Sequence, residues 1–332
     1  MLKQLMAVSA SAAVACGAAT AGPLDLGKYA SFVGFGDSTA DSGNAFIATG
    51  GSSAPAAGGY FQGRFSNGLN YFDEISTVIT GSSASPSFGG GSNFAFGGAR
   101  TITDPGGVPD LADQVGAYLA GPVDTGALHA INLGGNDSFG FLFGGGTDIN
   151  GFASTFAGVY ATEIQKLIDA GATDFLVSSV PNVGRTPIVT SFFGGDQALA
   201  LAFADPLDDA LNKALKQALT GLTYANAGVN IFFFDVDEAF APLTADPASF
   251  GLDPSLISTP CNDPTANPNA AAAIASNCAG YIFLDSVHVT KAGQDVILGA
   301  ALGAERVSEP AGLAILVLGV AGLAFARRRA AA

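Results

Sequence analysis

Charged side chains are scarce in this sequence of 332 residues, and basic ones are the scarcest. Asp, Glu, Lys and Arg make up 12% of the chain, which is about half the share usual in soluble domains. Only 13 lysines and arginines stand against 28 acidic residues, giving a formal net charge of −15, and they form a cluster only near the C-terminus. Because nucleic-acid binding depends on basic side chains that neutralise phosphates, a nucleic-acid partner is not expected.

The sequence also lacks the features of fibrous and disordered chains. Its 45 glycines follow no period of three, which excludes a collagen-like helix. Hydrophobic residues make up 48% of the chain and include 25 phenylalanines, which is enough apolar surface to offset the entropy lost on folding. At roughly 150 residues per domain, the length allows one large folded domain or two small ones.

The N-terminal residues 1–21 have the pattern of a secretory signal. Lys3 precedes an apolar run from Leu5 to about Ala19, and Ala19-Thr20-Ala21 has the small-x-small form of a signal-peptidase site. A buried first helix and a lipoprotein site at Cys16 are the alternatives, although the residues before Cys16 lack the usual leucine. We therefore predict a cleaved signal peptide and an exported mature chain.

The C-terminal residues 306–332 predict a second targeting segment. Ser308-Glu309-Pro310 is followed by an uncharged run over residues 311–326 and then by three arginines at 327–329. A helix over that run would span about 24 Å, slightly less than the hydrocarbon core of a bilayer, with the arginines on the cytoplasmic side. The segment resembles the PEP-CTERM sorting signal of Gram-negative bacteria, with Ser308 in place of the first proline.

This resemblance implies a transmembrane helix, processing by an exosortase-type partner, and delivery to the cell surface. Contact with a membrane is then expected only through this tail. An ordinary tail anchor is the alternative, and it would also place the main domain outside the cytoplasm.

Cysteine is rare as well. Without the two targeting segments, only Cys261 and Cys278 remain, an even pair in a chain expected to be exported. Because oxidising compartments permit disulfides, we predict a bridge between them that contributes on the order of 3 kcal/mol through the unfolded state. Two free thiols are the alternative.

Between residues 22 and 305, short apolar runs alternate with longer segments of helical periodicity. Residues 155–170 and 197–219 carry apolar side chains mostly three and four positions apart, as amphipathic helices do. This alternation predicts one α/β domain with a parallel sheet that helices cover on both faces. The predicted strands are residues 31–35, 93–96, 130–133, 175–180 and 231–234, and glycine-rich loops are predicted near residues 50–59, 81–92 and 139–151.

Polar and glycine-rich motifs follow three of these predicted strands, where ligands bind in such sheets. Ser38, within Gly36-Asp37-Ser38, follows the first strand and is predicted to enter a helix whose N-terminus favours an anion. Gly97-Gly98 and Asn136 follow the next two, and a glycine N–H with an amide side chain can stabilise an oxyanion. Taken alone, Ser38 is more commonly a helix N-cap, and each of the other motifs a turn.

The chain holds only two histidines, so few choices exist for a catalytic base. His129 has no carboxylate at short spacing, and we interpret it as structural. His288 follows Asp285 by three residues, and a carboxylate so placed can hold the imidazole Nδ1–H while Nε2 accepts a proton. Such a pair is also half of a metal site, but no further histidine or cysteine cluster accompanies it, so neither a metal nor another cofactor is expected.

Four sequence blocks, in this order, resemble the GDSL, or SGNH, family of serine esterases and lipases. The family pattern joins Gly-Asp-Ser-x-x-Asp-x-Gly-Asn, Asn-x-Ala-x-Gly, Gly-Gly-Asn-Asp and a terminal Asp-x-x-His, and all four occur between Gly36 and His288. Thr39 stands where leucine is commonest and Val289 where proline often follows the histidine, but neither position carries a catalytic group. The resemblance implies a three-layer α/β/α SGNH-hydrolase, flavodoxin-like fold with a mostly parallel five-stranded sheet over residues 22–305.

Carried over residue by residue, the resemblance implies catalysis through an acyl-enzyme without a cofactor. Ser38 would be the nucleophile, His288 the general base and Asp285 its orienting partner. Asp37 would be a structural hydrogen-bonding residue. The predicted disulfide would brace the loop that carries the base and its partner.

The same resemblance implies an oxyanion hole and a class of substrate. The hole would combine the backbone N–H of Ser38, the side chain of Asn136 and the backbone N–H of Gly97, with Gly98 as the alternative. The predicted function is an exported carboxylic-ester hydrolase acting on a small-molecule or lipid ester, and phenylalanines at 139–143 and 192–193 favour an apolar acyl pocket unless they are ordinary core. The alternatives are an O-acetyl esterase acting on exopolysaccharide and a non-catalytic surface or matrix protein on the same fold.

Overall fold

The computed structural model describes residues 23–104 and 107–307; the predicted signal peptide and the tail from Ser308 onward lie outside these residues. The described residues contain one five-stranded sheet with the strand order β1-β2-β3-β4-β5. The first four strands are mutually parallel, and β5 pairs antiparallel with β4. The strands are β1 (Ser31–Gly36), β2 (Ala127–Asn132), β3 (Asp174–Ser178), β4 (Asn230–Phe234) and β5 (Glu305–Arg306).

Helices cover both faces of the sheet, as the alternating sequence pattern predicts. Because successive strand side chains point to opposite faces, Val33 and Phe35 of β1 lie in the apolar core on one face of the sheet, and Phe32 lies in the core on the other face. The α/β fold with a mostly parallel sheet is therefore confirmed. The α-helices of the described residues are α1 (Asn44–Ala48), α2 (Tyr71–Thr80), α3 (Leu111–Leu119), α4 (Gly135–Phe143), α5 (Ile149–Asp169), α6 (Pro187–Phe192), α7 (Gln197–Ala225), α8 (Val236–Ala245), α9 (Ala270–Ala275) and α10 (Lys291–Leu302).

Both predicted long helices form, and an aspartate caps each at its start. The carboxylate of Asp148 accepts the N–H of Gly151 at the beginning of α5. That of Asp196 accepts the N–H groups of Ala198 and Leu199 at the beginning of α7. These side chains satisfy backbone donors that have no partner within the helix, which fixes where each helix begins.

The predicted strand over residues 93–96 is wrong as a strand, although its place in the fold is informative. Asn93 forms an isolated bridge to Gly34, and Phe94 N–H donates to the carbonyl of Gly34 at 2.7 Å. Phe96 N–H also donates to the carbonyl of Gly36 at 2.9 Å, and the pairing stops where Gly97 and Gly98 turn the chain away from the sheet, Gly98 at a φ of +89°. When this segment is counted as the second member of the sheet, the parallel part has the flavodoxin-like order 2-1-3-4-5, and the antiparallel strand β5 lies beyond it at the opposite edge.

The predicted loop at residues 139–151 is also largely wrong, because α4 extends through Phe143 and α5 begins at Ile149. Phe139 and Leu142 pack against a small buried cluster, and this burial outweighs the low helix propensity of the glycines around them.

The sheet continues past residue 305, where the predicted hydrolase domain ends. Arg306 pairs with Phe232 of β4, and Val307 N–H donates to the carbonyl of Ile231 at 2.7 Å. Nothing between residues 23 and 307, apart from the two undescribed positions, forms a helix long and apolar enough to cross a membrane. The transmembrane helix predicted for the tail lies beyond the described residues.

Candidate active site

Ser38 lies in a tight turn directly after β1, at the carboxyl edge of the sheet. The backbone N–H of Asp37 donates to the carbonyl of Asn132 at the end of β2, at 3.1 Å. The Asp37 carboxylate accepts the N–H of Thr39 at 2.9 Å, which closes the turn over Ser38. Asp37 therefore has the structural hydrogen-bonding position that the motif implies.

The helix predicted to begin at Ser38 is wrong, since α1 begins only at Asn44. The carboxylate of Asp41 accounts for this delay. It accepts the N–H groups of Gly43, Asn44 and Ala45 at 2.6–3.0 Å, and so begins the helix after the turn.

A chain of short hydrogen bonds joins Ser38, His288 and Asp285. Nε2 of His288 lies 2.7 Å from Oγ of Ser38, and Nδ1 lies 2.7 Å from Oδ2 of Asp285. The other carboxylate oxygen, Oδ1, accepts the backbone N–H groups of Val287 and His288 at 2.8 and 2.7 Å. The turn between the aspartate and the histidine thus fixes both side chains, and the fold brings them to a serine 250 residues earlier.

Two further residues, which the sequence motifs do not indicate, lie against these hydrogen-bonded side chains. The hydroxyl of Tyr60 donates to Oδ2 of Asp285 at 2.6 Å. The ring of Phe65 lies 4.8 Å from the imidazole of His288, centroid to centroid. Neither lies in a recognisable motif, and Tyr60 is 225 residues from its partner, so no local pattern could have indicated them.

Electrostatic interactions keep Asp285 ionised and make His288 more basic. Burial would raise the pKa of Asp285, but the charge and hydrogen bond of His288, with the Tyr60 hydroxyl, lower it to about 2. Burial would likewise lower the pKa of His288, but the charge and hydrogen bond of Asp285 and the charge of Asp37 leave that pKa raised above 6.5. Burial itself raises the pKa of Asp37 to about 6. This combination lets the imidazole accept a proton from the serine.

Asn136 lies in the first turn of α4, beside Ser38 at the carboxyl edge of the sheet. One N–H of its Nδ2 donates to the carbonyl of Ala99 at 3.0 Å, which leaves the second N–H for another acceptor. The adjacent carboxylate of Asp137 accepts the N–H groups of Thr101 and Ile102 at 2.8 and 2.9 Å. These bonds tie the start of α4 to the chain that follows Gly97 and Gly98.

The two glycines of the second block differ in their surroundings. The N–H of Gly97 donates to Oδ2 of Asp41 at 2.9 Å, and a Cβ at Gly97 would meet the Phe65 ring at 2.5 Å. Gly98 has a positive φ that other residues rarely adopt. Among the described residues, the backbone N–H groups of Gly98 and Ser38 have no hydrogen-bond acceptor.

An apolar pocket of about 100 Å³ opens beside Ser38 and His288. Phe240 of α8 and Ile297 of α10 line its buried part, where each side chain is less than a tenth exposed. Of the phenylalanines at 139–143 and 192–193, Phe139 lines the pocket. The Phe192 side chain is 74% exposed and therefore lies on the surface instead.

The profile of one protein family matches most of this chain. The family described as GDSL-like lipase/acylhydrolase matches residues 32–300. The chain belongs to this family.

Curated relatives of this GDSL-like protein include bacterial and plant proteins. Thermolabile hemolysin of Vibrio parahaemolyticus is 28% identical over 276 residues, 78% of this chain and 60% of the relative. Lipase 1 of Photorhabdus luminescens is 32% identical over 106 residues, 31% of this chain and 16% of the relative. GDSL esterase/lipase APG of Arabidopsis thaliana is 24% identical over 162 residues, 47% and 45% of the two chains. The matches thus span 60% or less of the length of each of these relatives.

The remaining polar residues of the GDSL blocks join the loops around the site. Nδ2 of Asn44 donates to the carbonyls of Asn93 and Ala95, both at 2.8 Å. Nδ2 of Asn93 in turn donates to the carbonyl of Ala40 and the hydroxyl of Ser42. Because both amides are fully buried, these bonds fix the first block against the second in one arrangement.

The predicted disulfide between Cys261 and Cys278 is present, with a Cα–Cα distance of 5.7 Å. It lies in a small apolar cluster with Leu284, the residue just before Asp285. The N–H of Cys261 donates to the carbonyl of Phe283 at 3.0 Å, so the bridge contacts the loop that carries the aspartate and histidine of the site.

Proposed function

We propose that this GDSL-like protein is an exported serine hydrolase that cleaves carboxylic esters through Ser38, His288 and Asp285. The observation that carries this proposal is the 2.7 Å distance between His288 Nε2 and Ser38 Oγ beside an apolar pocket. A distance this short supports His288 as the base for a Ser38 nucleophile, and the neighbouring pocket supports room for an acyl group.

In the first step, Oγ of Ser38 attacks the ester carbonyl carbon while His288 Nε2 takes the hydroxyl proton. Asp285 holds Nδ1–H and stabilises the imidazolium that forms. The tetrahedral intermediate then expels the alcohol, which receives the proton from His288, and an acyl-enzyme remains on Ser38.

In the second step, His288 takes a proton from water as the water oxygen attacks the acyl-enzyme. The second tetrahedral intermediate releases the carboxylic acid, and the proton returns to Oγ of Ser38. The oxygen atoms balance, since one water is consumed for each ester that is split into acid and alcohol.

For the oxyanion hole we propose the backbone N–H groups of Ser38 and Gly98 with the free N–H of Asn136. Gly98 is preferred over Gly97, because the N–H of Gly97 already donates to Asp41. Donors in such a site stabilise the negative charge that develops on the carbonyl oxygen in both steps.

The pocket supports an aliphatic acyl group of limited size. An apolar cavity of about 150 Å³ holds one benzene molecule. A pocket of about 100 Å³ therefore fits a short acyl chain between Phe240 and Ile297. This small volume also favours the second candidate, an O-acetyl esterase acting on polysaccharide, because an acetyl group needs even less room.

We further propose export to the cell surface of a Gram-negative bacterium, with an exosortase-type enzyme processing the tail. The disulfide supports an oxidising compartment. Mass spectrometry of the protein from its native host tests this directly. We expect a mature N-terminus at residue 22 and loss of the arginines at 327–329, whereas an intact chain would contradict the proposal.

The catalytic proposal is tested by hydrolysis of p-nitrophenyl esters from acetate to palmitate, using residues 23–307. Ser38→Ala is expected to lower kcat by at least about 10⁴-fold. Ser154→Ala, an exposed serine on α5, serves as the control and should leave kcat unchanged. A fluorophosphonate probe should label the wild type and not Ser38→Ala. Equal hydrolysis by Ser38→Ala and wild type would refute the proposal.

A further inference from the structure

The carboxylate of Asp285 receives one hydrogen bond from outside its own turn. Its Oδ1 is occupied by the backbone N–H groups of Val287 and His288. Its Oδ2 receives His288 Nδ1 at 2.7 Å and the Tyr60 hydroxyl at 2.6 Å. Among the described residues, Tyr60 is thus the one distant group that fixes the orientation of this carboxylate.

The surroundings of Tyr60 hold its hydroxyl in place. Its ring packs in the apolar cluster that contains the disulfide, and it lies 6.2 Å from the Phe65 ring. The carbonyl of Gly58, two residues earlier, accepts Nδ2 of Asn262 at 2.8 Å. Phe61 N–H donates to the carbonyl of Ser66 at 2.8 Å, which closes the loop. The hydroxyl is therefore preorganised and does not have to be ordered during turnover.

We propose that Tyr60 is a positioning residue, whose hydroxyl fixes the Asp285 carboxylate and withdraws charge from the oxygen that holds His288. The proposal rests on the proposed function of this site. It gives the loop that carries Tyr60 and Phe65 a specific role. The hydroxyl of Tyr60 orients Asp285, and the ring of Phe65 packs on His288.

The chemistry of the hydroxyl supports this role. Burial and the charge of Asp285 raise the pKa of Tyr60 above 10, so the hydroxyl stays protonated and donates across the working pH range. A donor on Oδ2 shares the electron density that would otherwise strengthen the bond to Nδ1. Removing it leaves Asp285 as a stronger acceptor for the imidazolium, so the pKa of His288 should rise.

The test compares Tyr60→Phe with Tyr281→Phe. Both tyrosines pack in the same cluster, but the Tyr281 hydroxyl accepts from Nδ2 of Asn267 at 3.1 Å and does not contact Asp285. Either change removes one hydroxyl and keeps the ring, so both variants should fold, which their melting temperatures will verify. Tyr281→Phe therefore controls for a purely structural effect.

Two measurements distinguish positioning from structure. In Tyr60→Phe we expect kcat to fall by about 10-fold or more, as for loss of a hydrogen bond to a charged group, with KM unchanged. The acid limb of kcat/KM should move to higher pH. Asp37 and Asp285 are the charged groups that act on His288, and neither is altered. The same variant should shift the proton NMR resonance of Nδ1–H in the bond between His288 and Asp285.

Tyr281→Phe should change neither the pH profile nor this resonance. An unchanged profile and resonance in Tyr60→Phe, or equal changes in both variants, would overturn the proposal. The resonance is visible without substrate, so it tests Tyr60 even if the wild type proves inactive on every ester. A wild type as inactive as Ser38→Ala would instead refute the proposed function.

Discussion

Desolvation disfavours the charged form of both histidines of this chain, yet their surroundings give them opposite properties. His129 lies inside β2 with no exposed surface, and its Nε2 is 3.1 Å from the hydroxyl of Tyr118. Burial lowers its pKa to about 4, so it is neutral at physiological pH. His288 is 17% exposed at the carboxyl edge of the sheet, and Asp285 raises its pKa instead.

The comparison shows that burial alone does not make a histidine a base. Desolvation disfavours the imidazolium in both cases, and only a carboxylate in contact with Nδ1 reverses the direction. A hydroxyl also lies near Nε2 in both cases, but that of Tyr118 is enclosed in the core while that of Ser38 borders a pocket. Chemistry therefore requires the carboxylate and access for a substrate together.

The largest expected effect is loss of the imidazole at each of the two positions. His288→Ala should lower kcat by about 10⁴-fold or more, because it removes the proposed general base. His129→Leu should retain activity and lose about 1 kcal/mol of unfolding free energy, through loss of the bond to Tyr118. Ester hydrolysis and urea unfolding of both variants measure this. Comparable losses of activity would show that the two histidines do not differ as described.

The next effect concerns the proposed oxyanion hole, whose Asn136 lines the same pocket as His288. Asn136→Ala should lower kcat by about 100- to 1,000-fold, because it removes a donor to the developing oxyanion. Asn226→Ala, at the end of α7, is the matched control, since its amide contacts Gln165 and the carbonyl of Leu222. Full activity in Asn136→Ala would contradict the proposed role of this side chain.

The sequence predicts the reactive residues of the site better than the residues that hold them in position. Ser38, Asp285 and His288 lie in short local motifs, so their types and order along the chain indicate one site at the strand ends. Tyr60 and Phe65 approach that site through tertiary packing, which leaves no periodicity or spacing in the sequence to detect.

The fold shows the same division between local and distant determinants. Strands β1 to β4 and the capped helices α5 and α7 follow from local apolar patterns, and each overlaps a predicted segment. Strand β5 has two residues and depends on pairing with β4, so no local pattern indicates it. The segment 93–96 is apolar like a strand, but the turn at the two glycines limits its pairing.

The lowered pKa of His129 should make the free energy of unfolding decrease at acid pH. Its pKa is lowered from 6.5 to about 4 on folding, so the unfolded chain binds the extra proton between these values. Stability is therefore expected to fall as the pH drops from about 6.5 through about 4, by roughly 3 kcal/mol from this group. Urea unfolding at a series of pH values measures the loss, and His129→Leu should reduce it. An equal acid loss in that variant would assign the effect to other groups.

The disulfide should affect the region of His288 and leave that of His129 unchanged. Closing a loop of this length contributes about 3 kcal/mol through the unfolded state, so Cys261→Ser with Cys278→Ser should lower the melting temperature. Because the bridge contacts the loop that carries Asp285, kcat should fall as well. Reductant should reproduce both effects in the wild type and change nothing further in the double variant. Unchanged stability and kcat after verified reduction would rule out the bracing role.

The smallest expected effect is a displacement of the pH profile of kcat/KM, which measures the contribution of the Asp37 charge to the pKa of His288. Nε2 must be unprotonated to take the serine proton, so kcat/KM should rise with pH up to a pKa above 6.5. The raised pKa of His288 also stabilises the folded protein below about pH 6.5, and this stabilisation is lost as the pH rises through the pKa of His288 in the folded state. Activity should therefore increase over the pH range in which this stabilisation is lost. Asp37→Asn removes one negative charge near the imidazole and should move the acid limb to lower pH. His129→Leu is the control and should leave the acid limb of kcat/KM unchanged. A shift of this limb in His129→Leu would indicate that His129, and not His288, is the base.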